Sequence, residues 1–350
     1  MAQEFRCPPR FRPGSLAWRR RAVAFAAAMV DTENYGFIVE WHDQQADLLR
    51  EYSLTVYVPP KGDLEASMYD PKTKRSFLKR MPIPGLRLQD LHQGSIVTIH
   101  CRQLKVKDYA DARTQSALEA SFGSFVLLTA PDAFHALGHI LSSVAANGLR
   151  IGRLRLVSRG GPVVAMEVIG SGAEDRWLDM GDSLGNMVNR VSVEEGRPYF
   201  EEKSSTAVFD NCTLCVIRPH AVKSGYAGPI ITAIMEAGFE ISAAKMIHLD
   251  RAEAHEMLEV YKGVLPYHVD MVEGMTSAPS LALEVRGADG IVERFRELCG
   301  PHDVDMAKHL RPNSLRARFG LDNAQNGVHC TDLDIDAESE VRYLFQVLAK

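Results

Sequence analysis

The sequence predicts an α+β chain: a small, mostly β N-terminal domain followed by two ferredoxin-like α/β sandwich domains, the first of them truncated. Three observations carry this. Apolar and polar residues alternate in short runs between about residues 34 and 110. Two later regions repeat each other. Within each repeat a strand, an amphipathic helix and further strands follow in β-α-β order.

The alternation is clearest at Phe37, Val39 and Trp41 and again at Leu54, Val56 and Val58. It is looser at Ile96, Val97 and Ile99. Period-2 patterning over a few residues is the mark of a strand with one buried face. Pro59-Pro60-Lys61-Gly62 and Asp70-Pro71-Lys72 supply turns between the runs.

The repeat pairs Val126-Leu127-Leu128-Thr129-Ala130-Pro131-Asp132-Ala133 with Leu214-Cys215-Val216-Ile217-Arg218-Pro219-His220-Ala221. Each copy continues into a helix. In the second, Ile230, Ile231, Ile234 and Met235 share one face, and Gly238 is placed to cap the end in a left-handed conformation. Gly148 plays the same part in the first copy. A second strand follows, over 149–157 and 239–247. Gly161-Pro162-Val163-Val164-Ala165-Met166-Glu167-Val168 then matches Ala278-Pro279-Ser280-Leu281-Ala282-Leu283-Glu284-Val285. The second copy inserts Leu249 to Met275, with a helix expected over 252–261, where the first has only Ser158 to Gly160. The polar stretch from Asp175 to Ser205 is expected to be a linker and docking segment. The expected domains are a basic arm over 1–33, the β domain over 34–120, a truncated copy over 121–205 and a complete copy over 206–350.

Composition excludes several functions. The chain has 350 residues and a net charge of −5, so no overall electrostatic case exists for nucleic-acid binding. No apolar run in the first 30 residues exceeds Ala22–Val30, well short of the ~20 residues that span a bilayer. The six cysteines are scattered, which suits a reducing compartment. Cys212 and Cys215 form a CxxC with no second pair to complete a zinc site. Arg6, Arg10, Arg12, Arg19, Arg20 and Arg21 are opposed only by Glu4 and precede an alanine-rich run. That pattern suits either a targeting peptide or an arm that packs on a partner.

The chemistry concentrates near the end. Asn326-Gly327-Val328-His329-Cys330-Thr331-Asp332 resembles the Asn-x-x-His-Gly-Ser-Asp signature of nucleoside diphosphate kinases, and the likeness covers residues 212–350. A neutral imidazole nitrogen is a competent nucleophile near pH 7, and phosphoryl transfer needs cations around the migrating group. The resemblance implies that His329 carries the phosphoryl group and that Glu340 orients its ring. It implies that Arg296 and Arg316 bind phosphate, that Asn326 bonds sugar and phosphate, and that Tyr267 stacks on the base, with His268 as the alternative if the register shifts by one. The family's Lys-Pro-Asp-Ala becomes Arg218-Pro219-His220-Ala221, and its phosphate-binding threonine aligns with His302. The family tyrosine falls near Glu259, with Tyr261 close by, and the loop from Pro301 to Ser314 is about three residues longer than in common single-domain members. ATP or GTP and nucleoside diphosphates would be the substrates, with Mg2+ carried by their phosphates. In the first copy Ala130 stands in the lysine position and no histidine signature follows, so it is expected to be catalytically dead.

Residues 34–120 resemble the DM-ten domain, through Phe37-Ile38-Val39-Glu40-Trp41-His42-Asp43, Leu48-Leu49-Arg50-Glu51-Tyr52, Arg75-Ser76-Phe77-Leu78-Lys79-Arg80 and Gly94 to Leu104. One such domain before two kinase-like copies is similar to a ciliary and flagellar branch of the family. That resemblance implies residence in the cytoskeleton of the axoneme, with tubulin of the doublet microtubule and other axonemal proteins as partners. Two functions follow: a kinase working through phospho-His329, or a structural microtubule inner protein with weak or no kinase activity.

Overall fold

The computed structural model describes residues 33–43, 46, 48–100, 102–202 and 204–348. The arginine-rich arm and its alanine run lie outside the described residues except for Glu33.

The N-terminal domain is a six-stranded antiparallel sheet in the order β4-β3-β2-β1-β6-β5. Its strands are β1 (Glu33–Asp43), β2 (Leu48–Val58), β3 (Glu65–Asp70), β4 (Arg75–Pro82), β5 (Ile96–Ile99) and β6 (Arg102–Tyr109). The alternation predicted at Phe37, Val39, Leu54 and Val56 is the alternation of its buried face. Helix α1 (Ala112–Ser121) closes the domain. Asp111 caps it by accepting from the Thr114 amide at 2.7 Å, and the Thr114 hydroxyl accepts from the Gly36 amide at 3.0 Å.

The two copies share one eight-stranded sheet, ordered β10-β7-β9-β8-β12-β13-β11-β14. The first copy supplies β7 (Phe122–Thr129), α2 (Leu137–Ala146), β8 (Arg150–Ser158), β9 (Pro162–Ser171), α3 (Ala173–Leu184), β10 (Val188–Val191) and α4 (Val193–Phe200). The second supplies β11 (Cys212–Ile217), α5 (Pro219–Lys223), α6 (Ala227–Glu236), β12 (Glu240–Ile247), α7 (Arg251–Met257) and α8 (His268–Thr276). It continues through β13 (Ser280–Arg286), α9 (Ile291–Cys299), α10 (Val304–Leu310), α11 (Leu315–Phe319), β14 (Val328–Cys330) and α12 (Ala337–Arg342). The halves meet where β8 pairs β12 antiparallel at Arg155 and Lys245. One apolar core runs beneath both, from Phe125 and Leu137 to Ile231 and Phe295. Helices α2 and α6 cross at Gly138 and Gly228, where a Cβ on Gly138 would lie 2.8 Å from the Gly228 carbonyl oxygen. Only glycine permits that approach.

The predicted left-handed caps are present: Gly148 has φ +66° and Gly238 φ +83°. The helix expected over 252–261 divides into α7 and a 3-10 turn at Glu259–Tyr261.

The linker expected over Asp175–Ser205 is corrected by the structure. Helix α3 buries Ala173, Met180 and Leu184, and Trp177 meets Phe125 edge-on with centroids 5.6 Å apart. Helix α4 opens on a capping box between Ser192 and Glu195. Strand β10 pairs β7 as β14 pairs β11. Val216 faces His329 across β11 and β14, whereas Leu128, its repeat counterpart, faces Asn189. The amide of Ala130 donates to Met187 as that of Arg218 donates to Gly327. The first copy therefore keeps the edge strand and holds asparagine where the second holds the histidine. What it lacks is the α7–α8 insertion and the α10–α11 segment that separates α9 from β14, which carries His302 and Arg316 in the second copy.

The CxxC is not a paired site. Residues three apart on β11 face opposite ways, so Cys212 packs into the core on one side of the sheet and Cys215 into the core on the other. Burial pushes the Cys212 thiol up to about 11 and raises Cys215 as well.

Candidate active site

Edge strand β14 is three residues long and wholly buried, and it carries His329 at its centre. The imidazole Nε2 lies 3.4 Å from a carboxylate oxygen of Glu340 on α12. The same oxygen accepts from the Thr331 hydroxyl at 2.8 Å, and that hydroxyl accepts from the Leu214 amide at 3.1 Å. Glu340 is thus fixed to the sheet through the signature's own threonine. A proton on Nε2 facing this carboxylate leaves the lone pair on Nδ1. Nδ1 is buried and has no hydrogen-bond partner among the described residues.

Four further polar atoms of predicted site residues share that condition: Arg218 Nε and Nη2, His302 Nε2 and Asn326 Oδ1. Buried polar groups are normally paired, and an unpaired buried donor costs ~1–3 kcal/mol. A group of them in the same site as His329 describes a site shaped for a polar guest.

The arginines divide their work. Arg218 stands at the end of β11 just before α5 and is 2% exposed. One of its nitrogens donates to the Ala324 carbonyl at 2.7 Å, leaving the other two open. Burial and the nearby Arg316 lower it to about 10, so it remains a cation at neutral pH. Arg316 on α11 is also buried, but it is spent on its surroundings. It donates to the Val328 carbonyl at 3.3 Å and the Gly300 carbonyl at 2.9 Å, and it touches Cys330 Sγ at 3.5 Å. Cys330 replaces the signature's glycine. A hydrogen bond from Cys299 and the charge of Arg316 hold its thiol below the usual range. Arg296 on α9 is half-exposed at the rim, 3.5 Å from Asp332.

Tyr267 and His302 lie together, with rings stacked at 6.0 Å and 22° and Oη 3.3 Å from Nδ1. One face of Tyr267 is therefore covered by His302. The alternative His268 is buried in α8 beside His255. Asn326 is fully buried and donates to the His302 carbonyl at 3.2 Å. The departure at His220 is accommodated: its Nε2 accepts from the Gly327 amide at 3.2 Å, where Gly327 turns with φ +87°. Tyr261 is the residue whose position the sequence left between two places. Its hydroxyl donates to Asp332 at 2.6 Å, and its ring meets that of His329 edge-on at 6.3 Å. The Thr331 anchor behind Glu340 was missed, although the signature itself contained it.

Three histidines are held neutral by burial. His220 is lowered to about 4 by burial and Arg218, His302 to about 4 by burial, Arg316 and Arg218, and His248 to about 4 by burial. An unfolded histidine takes its proton near pH 6.5, so between pH 6.5 and 4 the unfolded chain binds more protons than the folded one. Their stabilisation is complete above pH 6.5 and is lost as pH falls toward 4, at up to ~1.4 kcal/mol per pH unit for each. Urea unfolding across pH 4.5–7 should show this slope, reduced in His302→Gln. A His302→Gln slope equal to that of the wild type would contradict the assignment.

The sequence profile described as Nucleoside diphosphate kinase matches residues 211–348. The chain is 35% identical over 136 residues to the Nucleoside diphosphate kinase of Aquifex aeolicus (strain VF5), covering 39% of this chain and 94% of the relative. The crystal structure of an Aquifex aeolicus nucleoside diphosphate kinase in form C222 covers 40% of this chain and 97% of its own, at 34% identity and TM-score 0.37. The chain belongs to the nucleoside diphosphate kinase family. Within it, the chain is similar nearly end to end to Nucleoside diphosphate kinase homolog 7 of Rattus norvegicus: 35% identity over 382 residues, spanning 93% of this chain and 96% of the relative.

Proposed function

We propose that the second copy moves the γ-phosphoryl group of a nucleoside triphosphate to a nucleoside diphosphate through a covalent intermediate on His329. The observation that carries this is the unpartnered Nδ1 of a ring whose Nε2 faces Glu340. The Nδ1 lone pair attacks the γ-phosphorus, the bond to the bridging oxygen breaks, and the diphosphate leaves with the electron pair. A second diphosphate attacks the phosphohistidine in reverse and restores the ring. As charge moves onto the ring, the Nε2–H bond to Glu340 strengthens. The open donors of Arg218 face the charge of the transferring group. Asn326 Oδ1 can accept from a sugar hydroxyl. Magnesium enters with the nucleotide phosphates and offsets their charge. Initial rates at varied GTP and several fixed diphosphate concentrations test the scheme. Parallel double-reciprocal lines are expected, and lines converging on a common point would reject the covalent intermediate.

Two departures from the family set a further expectation. A compact ammonium at position 218 and a hydroxyl at 302 suit a phosphate cradle better than guanidinium and imidazole. The double variant Arg218→Lys with His302→Thr should raise turnover several-fold, about 1 kcal/mol of barrier. Unchanged or lower turnover would show that the replacements are compensated.

A second role is favoured by the N-terminal sheet. Strand β4 is an exposed edge carrying Arg75, Lys79 and Arg80 together with Phe77 and Met81. Unpaired edge strands are templates for contact. We propose that this edge docks on an acidic partner, tubulin of the axonemal doublet microtubule. Arg75→Glu with Lys79→Glu should release the protein from isolated doublets, whereas His329→Ala should leave it bound. The reverse pattern would make attachment nucleotide-dependent.

A further inference from the structure

A large cavity among the described residues lies away from His329. It encloses about 1410 Å³ where the N-terminal domain and both copies meet. The three units are joined around it by polar contacts. The Thr98 hydroxyl donates to the Thr276 carbonyl at 2.7 Å, Gln103 donates to the Leu249 carbonyl, and Arg150 donates to Asp90 and to the Gln89 carbonyl.

Part of the wall is positive and under-satisfied. Arg87, Asp90 and His92 come from the N-terminal domain, Arg150 from β8, Lys223 from the last residue of α5, and His248 from just after β12. Asp90 is shared, lying 2.5 Å from Arg150 and 3.7 Å from Arg87. Against this one carboxylate stand three cations, since Lys223 feels Asp90, Arg87 and Arg150 together. The Lys223 ammonium makes no hydrogen bond or ion pair among the described residues. Arg150 Nε and both ring nitrogens of His248 are buried without partners. Of the cavity's other carboxylates, three are committed and Glu273 is not. Glu167 pairs with Arg153 at 2.7 Å, Asp43 with Arg50 at 3.0 Å, and Asp250 accepts from the Glu253 amide at 2.8 Å.

We propose that this junction is a second anion site, which takes a small di- or triphosphate-bearing molecule between Arg87, Arg150, Lys223 and His248. Several negative oxygens on one ligand match cations that approach from three separate units, and charge-assisted hydrogen bonds are the strong kind. The open imidazole nitrogen and guanidinium N–H would find acceptors that the protein does not supply. Because the wall is drawn from all three units, the ligand acts as a clamp between them and raises the stability of the whole chain by mass action. The catalytic cleft is not part of this wall, so the two sites are separable by mutation.

Equilibrium dialysis of the full chain against labelled tripolyphosphate tests the site. Wild type should bind two equivalents. Arg218→Met should remove one and keep the other. Lys223→Glu should remove the other while phosphotransfer stays near wild type, which also shows that the variant folds. Arg87→Gln, a milder change, should weaken the junction equivalent by about tenfold, ~1.4 kcal/mol. Competition identifies the ligand's source: ATP displacing label at lower concentration than tripolyphosphate marks a nucleotide site, and equal displacement marks an inorganic polyphosphate site. A single equivalent that vanishes with Arg218→Met, or two equivalents bound as tightly in Lys223→Glu and Arg87→Gln as in wild type, would overturn the proposal.

Discussion

His329→Ala should reduce phosphate exchange between GTP and a diphosphate by at least ~10⁴-fold, more than 5 kcal/mol of barrier, with no loss of fold. The size follows from the place of the residue in the reaction. In the proposed reaction the other groups orient or attract, whereas His329 is the nucleophile, with an unpartnered Nδ1 on a ring whose Nε2 faces Glu340. The fold should survive. The backbone of β14 keeps its ladder with β11 through Val328 and Cys330, and Glu340 keeps its bond from Thr331. Truncation opens a small cavity, costing a few kcal/mol at most. Circular dichroism should match the wild type while exchange falls to background. Exchange within tenfold of wild type would show that the nucleophile lies elsewhere.

Glu284→Ala should produce the largest loss of stability, about 3–5 kcal/mol. Glu284 lies in the middle of β13 and is fully buried. Its carboxylate accepts from the amides of Val208 and Phe209, both at 2.7 Å, and from the Ser242 hydroxyl at 2.5 Å. These bonds seat the chain entering the second copy, where Phe209 and Asn211 hold positive φ without being glycine. Alanine would leave two amide donors and a hydroxyl facing an apolar void. In the first copy the counterpart Glu167 instead pairs with Arg153, which is half-exposed, so Glu167→Ala should cost about 1 kcal/mol. Urea midpoints of the two variants measure the difference. Equal losses would mean that the buried amides of Val208 and Phe209 find other acceptors.

Much of this arrangement was legible in the residues. The repeat was visible because β7 and β11, and β9 and β13, are long apolar runs at fixed offsets from a Pro-started helix. Asn326 and His329 stood out because one short signature holds both, and Glu340 because the resemblance places a glutamate shortly after the histidine. The edge strand of the first copy was not. Val188-Asn189-Arg190-Val191 is too short and polar to show a period, and only its pairing with β7 makes it a strand. Tyr261 escaped because the 3-10 turn after α7 shifts the ring relative to a continuous helix. The division among Arg218, Arg296 and Arg316 escaped as well. Whether a guanidinium is free or spent depends on which carbonyls surround it, and those come from Gly300, Ala324 and Val328 in separate segments. The joining of the two copies' strands into one sheet through the β8–β12 pairing is likewise a tertiary fact with no local pattern.

In the proposed reaction His329 Nδ1 becomes covalently phosphorylated. Brief incubation of the full chain with γ-labelled ATP and magnesium, followed by alkaline digestion and mass spectrometry, tests it directly. One label per chain is expected, stable in alkali and lost in mild acid, carried on the Nδ1 of His329 and discharged by added nucleoside diphosphate. Label on a serine, threonine or other histidine, or phosphohistidine that a diphosphate does not discharge, would contradict it.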